Sequence, residues 1–150
     1  MSLRDTAQAV QENVEIVRSV IASWERGDYS SADWAHPDIE FVIADGPAPG
    51  LWTGLRGMAE GWRDVLSAWD EFHGTSGEGY RELDGDRVVV FNEFAGRGRT
   101  SGLDIGEVGV RAATVLHLRD GKVTRLVVYW DRARALKDLG LSEQDAHADS

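Results

Sequence analysis

The stretch that decides the fold is VGVRAATVLHLRDGKVTRLVVYWDRARALKDLGL, residues 108–141. Two runs rich in β-branched and aromatic residues, Val108–Leu118 and Val123–Trp130, flank Asp120-Gly121, and Asp-Gly between such runs is a strong hairpin signal. The segment Arg132–Leu139 follows, with an aspartate before it and a glycine after it, as at the two ends of a short helix. The stretch therefore predicts a β-hairpin followed by a capped helix.

Two segments nearer the N-terminus show helical spacing. Apolar residues at every third or fourth position predict one amphipathic helix from about Thr6 to Arg26 and a second from Met58 to about Phe72. Between them, Asp38–Ala44 has the composition of a strand. Residues 45–50 contain two prolines and two glycines, so we expect a loop there.

A second hairpin is predicted upstream of the first, with Gly79–Leu83 and Val88–Ala95 joined by an Asp-Gly-Asp turn. The order helix, strand, helix and then four strands in hairpins predicts an α+β fold, in which helices cover one face of an antiparallel sheet. No linker or repeat divides the chain. We expect a single domain over residues 1–150, with an ordered core at about 6–140 and a frayed acidic tail beyond Leu141.

Composition narrows the range of partners. With 16 basic and 26 acidic residues the net charge is −10, which repels phosphate backbones and anionic lipids, so neither nucleic acid nor a membrane is an expected partner. The chain has no cysteine, and no segment approaches the roughly 18 apolar residues of a membrane span. The first 20 residues do not have the pattern of a signal peptide. We expect a soluble, cytoplasmic protein without disulfides.

The histidines do not have the spacing of a metal site. His36 precedes Pro37 at a loop, where a structural hydrogen bond is expected. His73 follows the second predicted helix, and its charge would suit the C-terminal end of the helix dipole. His117 is expected to face an interface. We therefore predict no metal and no cofactor.

Several short motifs resemble one known family. They are Gly27-Asp28 at the end of the first helix, His36-Pro37-Asp38 at the entry to the first strand, Gly54-Leu55-Arg56-Gly57 before the second helix, and the final hairpin and helix over residues 118–141. Together they resemble the SnoaL-like branch of the nuclear transport factor 2-like superfamily. The resemblance covers nearly the whole chain. It implies a cone-shaped half-barrel that encloses a cavity, and homodimers formed through the convex face of the sheet.

The resemblance also assigns faces to the strands, because side chains alternate along a strand. The expected concave set is Glu40, Val42, Phe91, Glu93, Ala95, Thr114, Leu116, Val128 and Trp130. The expected convex set is Ala113, Val115, Val127 and Tyr129. Since the convex set is mainly apolar too, we expect a homodimer to cover that face.

The acid and base positions of the family's known enzymes are mostly filled by other residue types. The positions that act in ketosteroid isomerases correspond to Val20, Val42 and Thr114, and those of the epoxide hydrolases' relay to Ala95, Glu93 and Val128. No member of the isomerase set is present, and the relay of the epoxide hydrolases is missing too. The cyclases use a pocket carboxylate near the fourth strand, where this chain has the hydroxyl of Thr114.

Glu93 is the remaining candidate for a general base. Its apolar neighbours would take it out of water, which suits that role. The alternative is an ion pair with Arg97, Arg99 or Arg111.

Six tryptophans in 150 residues indicate large apolar surfaces to cover. We expect a pocket with its mouth at residues 45–52. The predicted ligand-binding residues are Trp24, Trp52, Trp62, Tyr80, Phe91, Thr114, Val128 and Trp130.

Three hypotheses about function remain. The first is a pocket protein that binds a small apolar or aromatic molecule without a complete catalytic set. The second is an enzyme of the polyketide cyclase, isomerase or dehydratase type, with Glu93 as base and Thr114, Tyr80 or the Trp62 N–H as hydrogen-bond donors. The third is a dimeric interaction protein whose cavity is only core.

Overall fold

The computed structural model describes residues 3–28, 32–46, 49–67, 69–75, 79–83, 85–98 and 110–142. Within them lie three helices and seven strands. The helices are α1 (Leu3–Glu25), α2 (Gly54–Ser67) and α3 (Arg132–Leu139). The strands are β1 (Ala35–Ile43), β2 (Gly50–Thr53), β3 (Trp69–Thr75), β4 (Tyr80–Leu83), β5 (Arg87–Gly98), β6 (Val110–Arg119) and β7 (Lys122–Tyr129). No helix in these ranges is long and apolar enough to cross a membrane. The predicted frayed tail lies outside the described residues from position 143 onward.

The strands form one curved, unclosed sheet in the order β2-β1-β7-β6-β5-β3, and β4 also pairs with β5. The predicted α+β class and both predicted hairpins are confirmed. The sheet is mixed rather than wholly antiparallel, because β1 runs parallel to β7 while the other pairs are antiparallel. This pairing brings the first strand, from the N-terminal part of the chain, against the last.

Both faces of the sheet are covered within the chain. We call the face that α1 and α2 cover the inner face, and the face that α3 covers the outer face. Side chains of α1 and α2 such as Val17 and Trp62 form one buried cluster with residues of the inner face. Ala135 and Leu136 of α3 form a second buried cluster with residues of the outer face.

The predicted faces are correct for two strands and wrong for two. Thr114, Leu116 and Val128 do lie on the inner side, as expected for β6 and β7. In β1, however, Ile39, Phe41 and Ile43 belong to the inner cluster, so Glu40 and Val42 point outward. In β5, Val88, Val90 and Phe94 are the inward residues, and Phe91 belongs to the outer cluster. The assignment for β1 and β5 was therefore wrong by one residue, and a shift of one residue exchanges the two faces.

Several element boundaries differ from the predictions by a few residues, and in two places the type of element differs. The second helix was predicted to reach Phe72, but α2 ends at Ser67 and residues 69–75 form β3, which pairs with β5. His73 is therefore a strand residue and not a helix-ending cation. Residues 50–53 form β2, a short strand paired with β1, where only a loop had been expected up to residue 50. In both places pairing with a neighbouring strand outweighs the local signal.

The C-terminal hairpin and helix have the expected geometry. Asp120 and Gly121 both have positive φ, 53° and 79°, as a two-residue hairpin turn requires. The Asp131 carboxylate accepts a hydrogen bond from the backbone N–H of Ala133 at 3.0 Å, and Gly140 ends α3 in the left-handed conformation. The predicted bounds and caps of this helix are confirmed.

Candidate functional site

A cluster of aromatic rings lies between the helices and the inner face. Trp24 of α1 and Trp62 of α2 meet at 4.9 Å between ring centroids, and Trp62 stacks on Phe41 of β1 at 5.0 Å with an interplanar angle of 28°. Trp34 packs edge-on against Trp24 at 6.2 Å, and Trp52 packs against Phe41 at 5.6 Å. We call these five residues the aromatic cluster. They join four elements and the segment before β1 in one packed aromatic cluster between the helices and the sheet.

A glycine in α2 makes this packing feasible. A Cβ atom on Gly61 would lie 2.7 Å from the ring of Phe41 and 3.0 Å from that of Trp52. Real Cβ atoms do not approach ring carbons so closely, so any larger residue would push the strand aromatics away from α2. Gly61 therefore sets the spacing between α2 and this part of the sheet.

One polar pair is buried in the otherwise apolar inner face. Asn92 on β5 and Thr114 on β6 are 3% and 0% exposed, and they lie diagonally across the β5–β6 ladder. The Thr114 hydroxyl donates to the Asn92 amide oxygen at 3.5 Å, which is at the long limit of hydrogen bonding. We call Asn92 and Thr114 the polar pair. It supplies hydrogen-bonding groups to an environment that offers few others.

Trp130 is fixed at one end of the inner face by the residues after β1. The Asp45 carboxylate accepts hydrogen bonds from the backbone N–H groups of Trp130 and Asp131, at 2.6 and 3.3 Å. The Trp130 ring packs against Phe94 at 5.0 Å. Gly46 lies so close beneath the ring that a Cβ would be 2.4 Å from its Cδ1 atom. The predicted mouth at residues 45–52 thus includes a clamp that positions Trp130, and residues 47–48 lie outside the described residues.

A buried arginine supports the polar pair from the outer side of the sheet. Arg132 is 3% exposed and donates through Nε to the carbonyl oxygen of Ala112 at 3.0 Å and through Nη2 to that of Asn92 at 2.9 Å. Its guanidinium lies 5.6 Å from the centre of the Phe91 ring. Ala112 and Asn92 are paired across β5 and β6, so one side chain ties these two strands together.

The structure brings together most, but not all, of the predicted ligand-binding residues. Trp24, Trp62, Thr114 and Val128 are buried on the inner side, and Trp52, Tyr80 and Trp130 are half-buried against the same cluster. Phe91 does not join them, because it packs under Arg132 on the outer face. Tyr80 is also in contact with the Arg18 guanidinium, 5.2 Å from its ring centre.

Glu93 does not have the burial that its predicted role requires. Its side chain is exposed and points to the outer face, as does that of Phe91 two residues before it on β5. Arg111 is its partner across the β5–β6 ladder. The prediction that the Glu93 carboxylate is removed from water was wrong, because the two faces of β5 had been exchanged. The catalytic role of Glu93 stays a prediction.

Sequence reasoning missed Asn92, Phe41 and Arg132. For Asn92 a signal was present, since it is a polar residue directly after the run Val88–Phe91 and inside a predicted strand. Phe41 alternates with Ile39 and Ile43, which marks a common apolar face. Nothing in the sequence indicates that Arg132 is buried, because its partners are backbone carbonyls of distant strands.

The outer side carries two grooves lined by described residues. One, of about 580 Å³, has mixed charges from His36, Asp38, Glu40, Arg119, Asp120 and Lys122. The other, of about 470 Å³, lies between α3 and the outer face near His117. Burial lowers the pKa of His117, and the neighbouring Arg87 and Arg125 lower it further. Among the described residues no group of three or more His, Cys, Asp or Glu side chains is arranged to hold a metal.

Comparison with solved structures gives relatives of the same fold. An NTF2-like protein from Burkholderia pseudomallei has a TM-score of 0.68 at 17% identity, covering 84% of this chain and 95% of that chain. A phenazine biosynthesis-related protein from Pseudomonas aeruginosa has a TM-score of 0.67 at 16% identity, covering 94% of this chain and 93% of that chain. TerC, co-crystallised with polyporic acid, has a TM-score of 0.65 at 24% identity, covering 84% of this chain and 96% of that chain. At such identities the likeness shows a common fold alone.

Sequence comparison identifies the family. No curated protein matches the chain. The family model of the SnoaL-like domain matches residues 17–126, from the middle of α1 to the middle of β7 and thus well over half of the chain. The chain belongs to the SnoaL-like domain family.

Proposed function

We propose that this SnoaL-like chain binds a small, flat, largely apolar molecule that carries one hydrogen-bonding group, between α1, α2 and the inner face of the sheet. The observation that carries the proposal is the polar pair, which is buried in an apolar interior and whose two side chains are joined by a long hydrogen bond of 3.5 Å. Burying an amide and a hydroxyl costs free energy unless good hydrogen bonds replace those to water. A ligand hydroxyl or carbonyl would supply such a bond.

The residues around the polar pair would offer a flat molecule aromatic and aliphatic contacts. Thr114 is paired with Val128 on one side and Val90 on the other. Phe94, two residues beyond Asn92, and Trp130, two residues beyond Val128, pack against each other. Ala112, the ladder partner of Asn92, has a small side chain on the same face. Aromatic and aliphatic walls with few polar groups are typical of sites for small molecules. TerC, of the same fold, was co-crystallised with an organic molecule, polyporic acid.

The test compares 2-naphthol with naphthalene, which differ by one hydroxyl. Binding is measured by displacement of a fluorescent apolar dye and by quenching of tryptophan emission. We expect 2-naphthol to bind about fivefold more tightly than naphthalene, which corresponds to roughly one hydrogen bond.

The matched variants are Asn92→Leu and Thr114→Val, which keep the shape of the side chain and remove its polar group. Each should bring the ratio of the two affinities close to one. Thr124→Val is the control, because its hydroxyl donates to the His117 carbonyl at the hairpin and not on the inner face. Failure of both compounds to bind, or a ratio unchanged in Asn92→Leu, would contradict the proposal.

The enzyme hypothesis has no supporting contact among the described residues. An exposed Glu93 beside Arg111 in the ladder fits the ion-pair alternative at least as well as a general base. A cyclase, isomerase or dehydratase activity would therefore need an acid or base other than the one predicted. Binding is the function that the described geometry supports best.

A homodimer through the outer face also stays a prediction. The apolar convex face, which was the reason to expect it, is largely covered within the single chain. The apolar convex residues were expected to need a partner chain, but Ala113, Val115, Val127 and Tyr129 are already 0 to 9% exposed in the single chain, largely beneath α3. Light scattering coupled to size-exclusion chromatography at micromolar concentration measures the mass directly. A monomeric mass would remove the dimer.

A further inference from the structure

Basic side chains form a row across the outer face. The register pairs Arg87 of β5 with His117 of β6, and His117 with Arg125 of β7, so the three residues lie side by side on adjacent strands. We call them the cationic row. Arg125 is also bonded to Glu40 of β1, with 3.4 Å between the charged groups and both side chains about half exposed, 46% and 47%.

The next row of the outer face is made of valines. Val42 of β1 is paired with Val127 of β7, Val127 with Val115 of β6, and Val115 with Val89 of β5. We call these four residues the valine row. It lies two residues along each strand from the cationic row, so charged and apolar side chains are adjacent on one face.

The groove of about 470 Å³ contains parts of both rows. All three members of the cationic row line it, as do three of the valines, and α3 contributes Leu139, Arg134 and Asp138. Val42 and Leu139 are half-buried and leave apolar surface accessible in the groove. The groove is therefore apolar along its floor and basic along one edge.

The charge in the groove has the opposite sign to that of the chain. Its lining includes three arginines and one aspartate, and Glu40 at its edge offsets the charge of Arg125, which leaves a small positive excess in a chain whose net charge is −10. The aspartate, Asp138, already accepts a hydrogen bond from the Tyr129 hydroxyl at 3.2 Å. Such a local excess of positive charge favours a negatively charged ligand over a neutral one.

We propose that this groove is a second binding site, which takes a small amphipathic carboxylate with its apolar body against Val42 and Leu139 and its carboxylate against the cationic row. A volume of about 470 Å³ is within the range of small-molecule sites. The site lies on the opposite side of the sheet from the polar pair. It does not depend on the function proposed for the inner face.

His117 makes the site sensitive to pH. Burial and the two neighbouring arginines disfavour its charged form, while Asp86 and Glu40 act in the other direction. Arg134 and Asp138 of α3 line the same groove. A bound carboxylate would favour the imidazolium, so the pKa of His117 should rise on binding, and binding should strengthen as pH falls.

The test is calorimetric titration with 2-naphthoate, with 2-naphthol as its neutral counterpart. Arg87→Gln should weaken 2-naphthoate binding about fivefold, the effect of one partly exposed charge, and leave 2-naphthol unchanged. Arg63→Gln on the exposed side of α2 is the charge-matched control and should alter neither. Asn92→Leu should weaken the binding of 2-naphthol and leave the binding of 2-naphthoate unchanged, which distinguishes this site from the inner one.

A second arm uses pH. Between about pH 8 and pH 5.5 the affinity for 2-naphthoate should rise as pH falls, and His117→Gln should flatten that dependence. The site would be refuted by 2-naphthoate binding that is insensitive to both Arg87→Gln and His117→Gln. It would also be refuted if binding were lost in Asn92→Leu, or if light scattering showed two copies joined over this groove that 2-naphthoate does not separate.

Discussion

Replacing the polar pair with apolar side chains of similar shape should stabilise this protein. In the double variant Asn92→Leu with Thr114→Val, two groups that are 3% and 0% exposed lose their polar atoms together, so neither leaves the other without a partner. A buried amide or hydroxyl without a good hydrogen bond costs about 1–3 kcal/mol. A bond of 3.5 Å offsets little of that cost.

The expected gain follows from these contributions. A buried leucine in place of the amide adds up to about 2 kcal/mol of apolar burial. Imperfect fit in a packed core subtracts about 1 kcal/mol. The free energy of unfolding of the double variant should therefore exceed that of the natural chain by about 1–3 kcal/mol, with the preference for 2-naphthol abolished in the same protein.

Urea denaturation followed by tryptophan fluorescence measures the effect. The natural chain, the two single variants and the double variant form a double-mutant cycle. The slope with urea concentration should stay constant, and the coupling energy should be below about 0.5 kcal/mol because the bond is long. If the double variant were instead destabilised by more than about 1 kcal/mol, the polar pair would be a well-satisfied structural contact and the argument for a binding role would fail.

Three further predictions concern the mouth, the last helix and the outer row. Gly46→Ala should destabilise the fold by about 1–3 kcal/mol, measured by thermal unfolding, and should change the near-ultraviolet circular dichroism, because the glycine has φ of +88° and a Cβ would meet the Trp130 ring. Asp131→Ala removes the hydrogen bond to the Ala133 N–H and should cost about 1 kcal/mol in urea denaturation, whereas Asp131→Asn should retain most of it. The pKa of His117 is below its ordinary 6.5 in the folded chain, so the unfolded chain binds the proton more readily and stability should fall as pH drops below 6.5. His117→Gln should reduce that fall, and an unchanged pH profile would contradict the assigned burial.

The sequence predicted those elements whose local signals agree with their tertiary surroundings. The final helix, Arg132–Leu139, has an N-cap, a C-terminal glycine and a preceding hairpin turn, and its bounds are as predicted. Residues 69–72 were wrongly predicted as helix because Trp69 continues the helical spacing of Trp62 and Val65. Pairing with β5 makes this segment part of a strand. A local pattern cannot include a partner that lies more than 20 residues away in the chain.

The faces of the strands depended on a different kind of information. In β1 the alternation of Ile39, Phe41 and Ile43 with Glu40 shows that the three apolar residues face inward. The resemblance to the family had instead placed Glu40 and Val42 on the inner face. In β5 the run Val88–Phe91 is apolar at every position, because α3 covers one face while α1 and α2 cover the other. Alternation is then invisible in the sequence, and only the register with β6 assigns the faces.

Arg132 links α3 on the outer face to the polar pair on the inner face. Its guanidinium lies on the outer side, yet it holds the carbonyl oxygens of Asn92 and Ala112, the two paired residues at the polar pair. The backbone that projects Asn92 inward is thus fixed by a helix on the opposite face. The support reaches both strands of the polar pair, because Ala112 lies two residues from Thr114 on β6. The proposed ligand would therefore meet a hydrogen-bonding group whose backbone is held from the opposite side of the sheet.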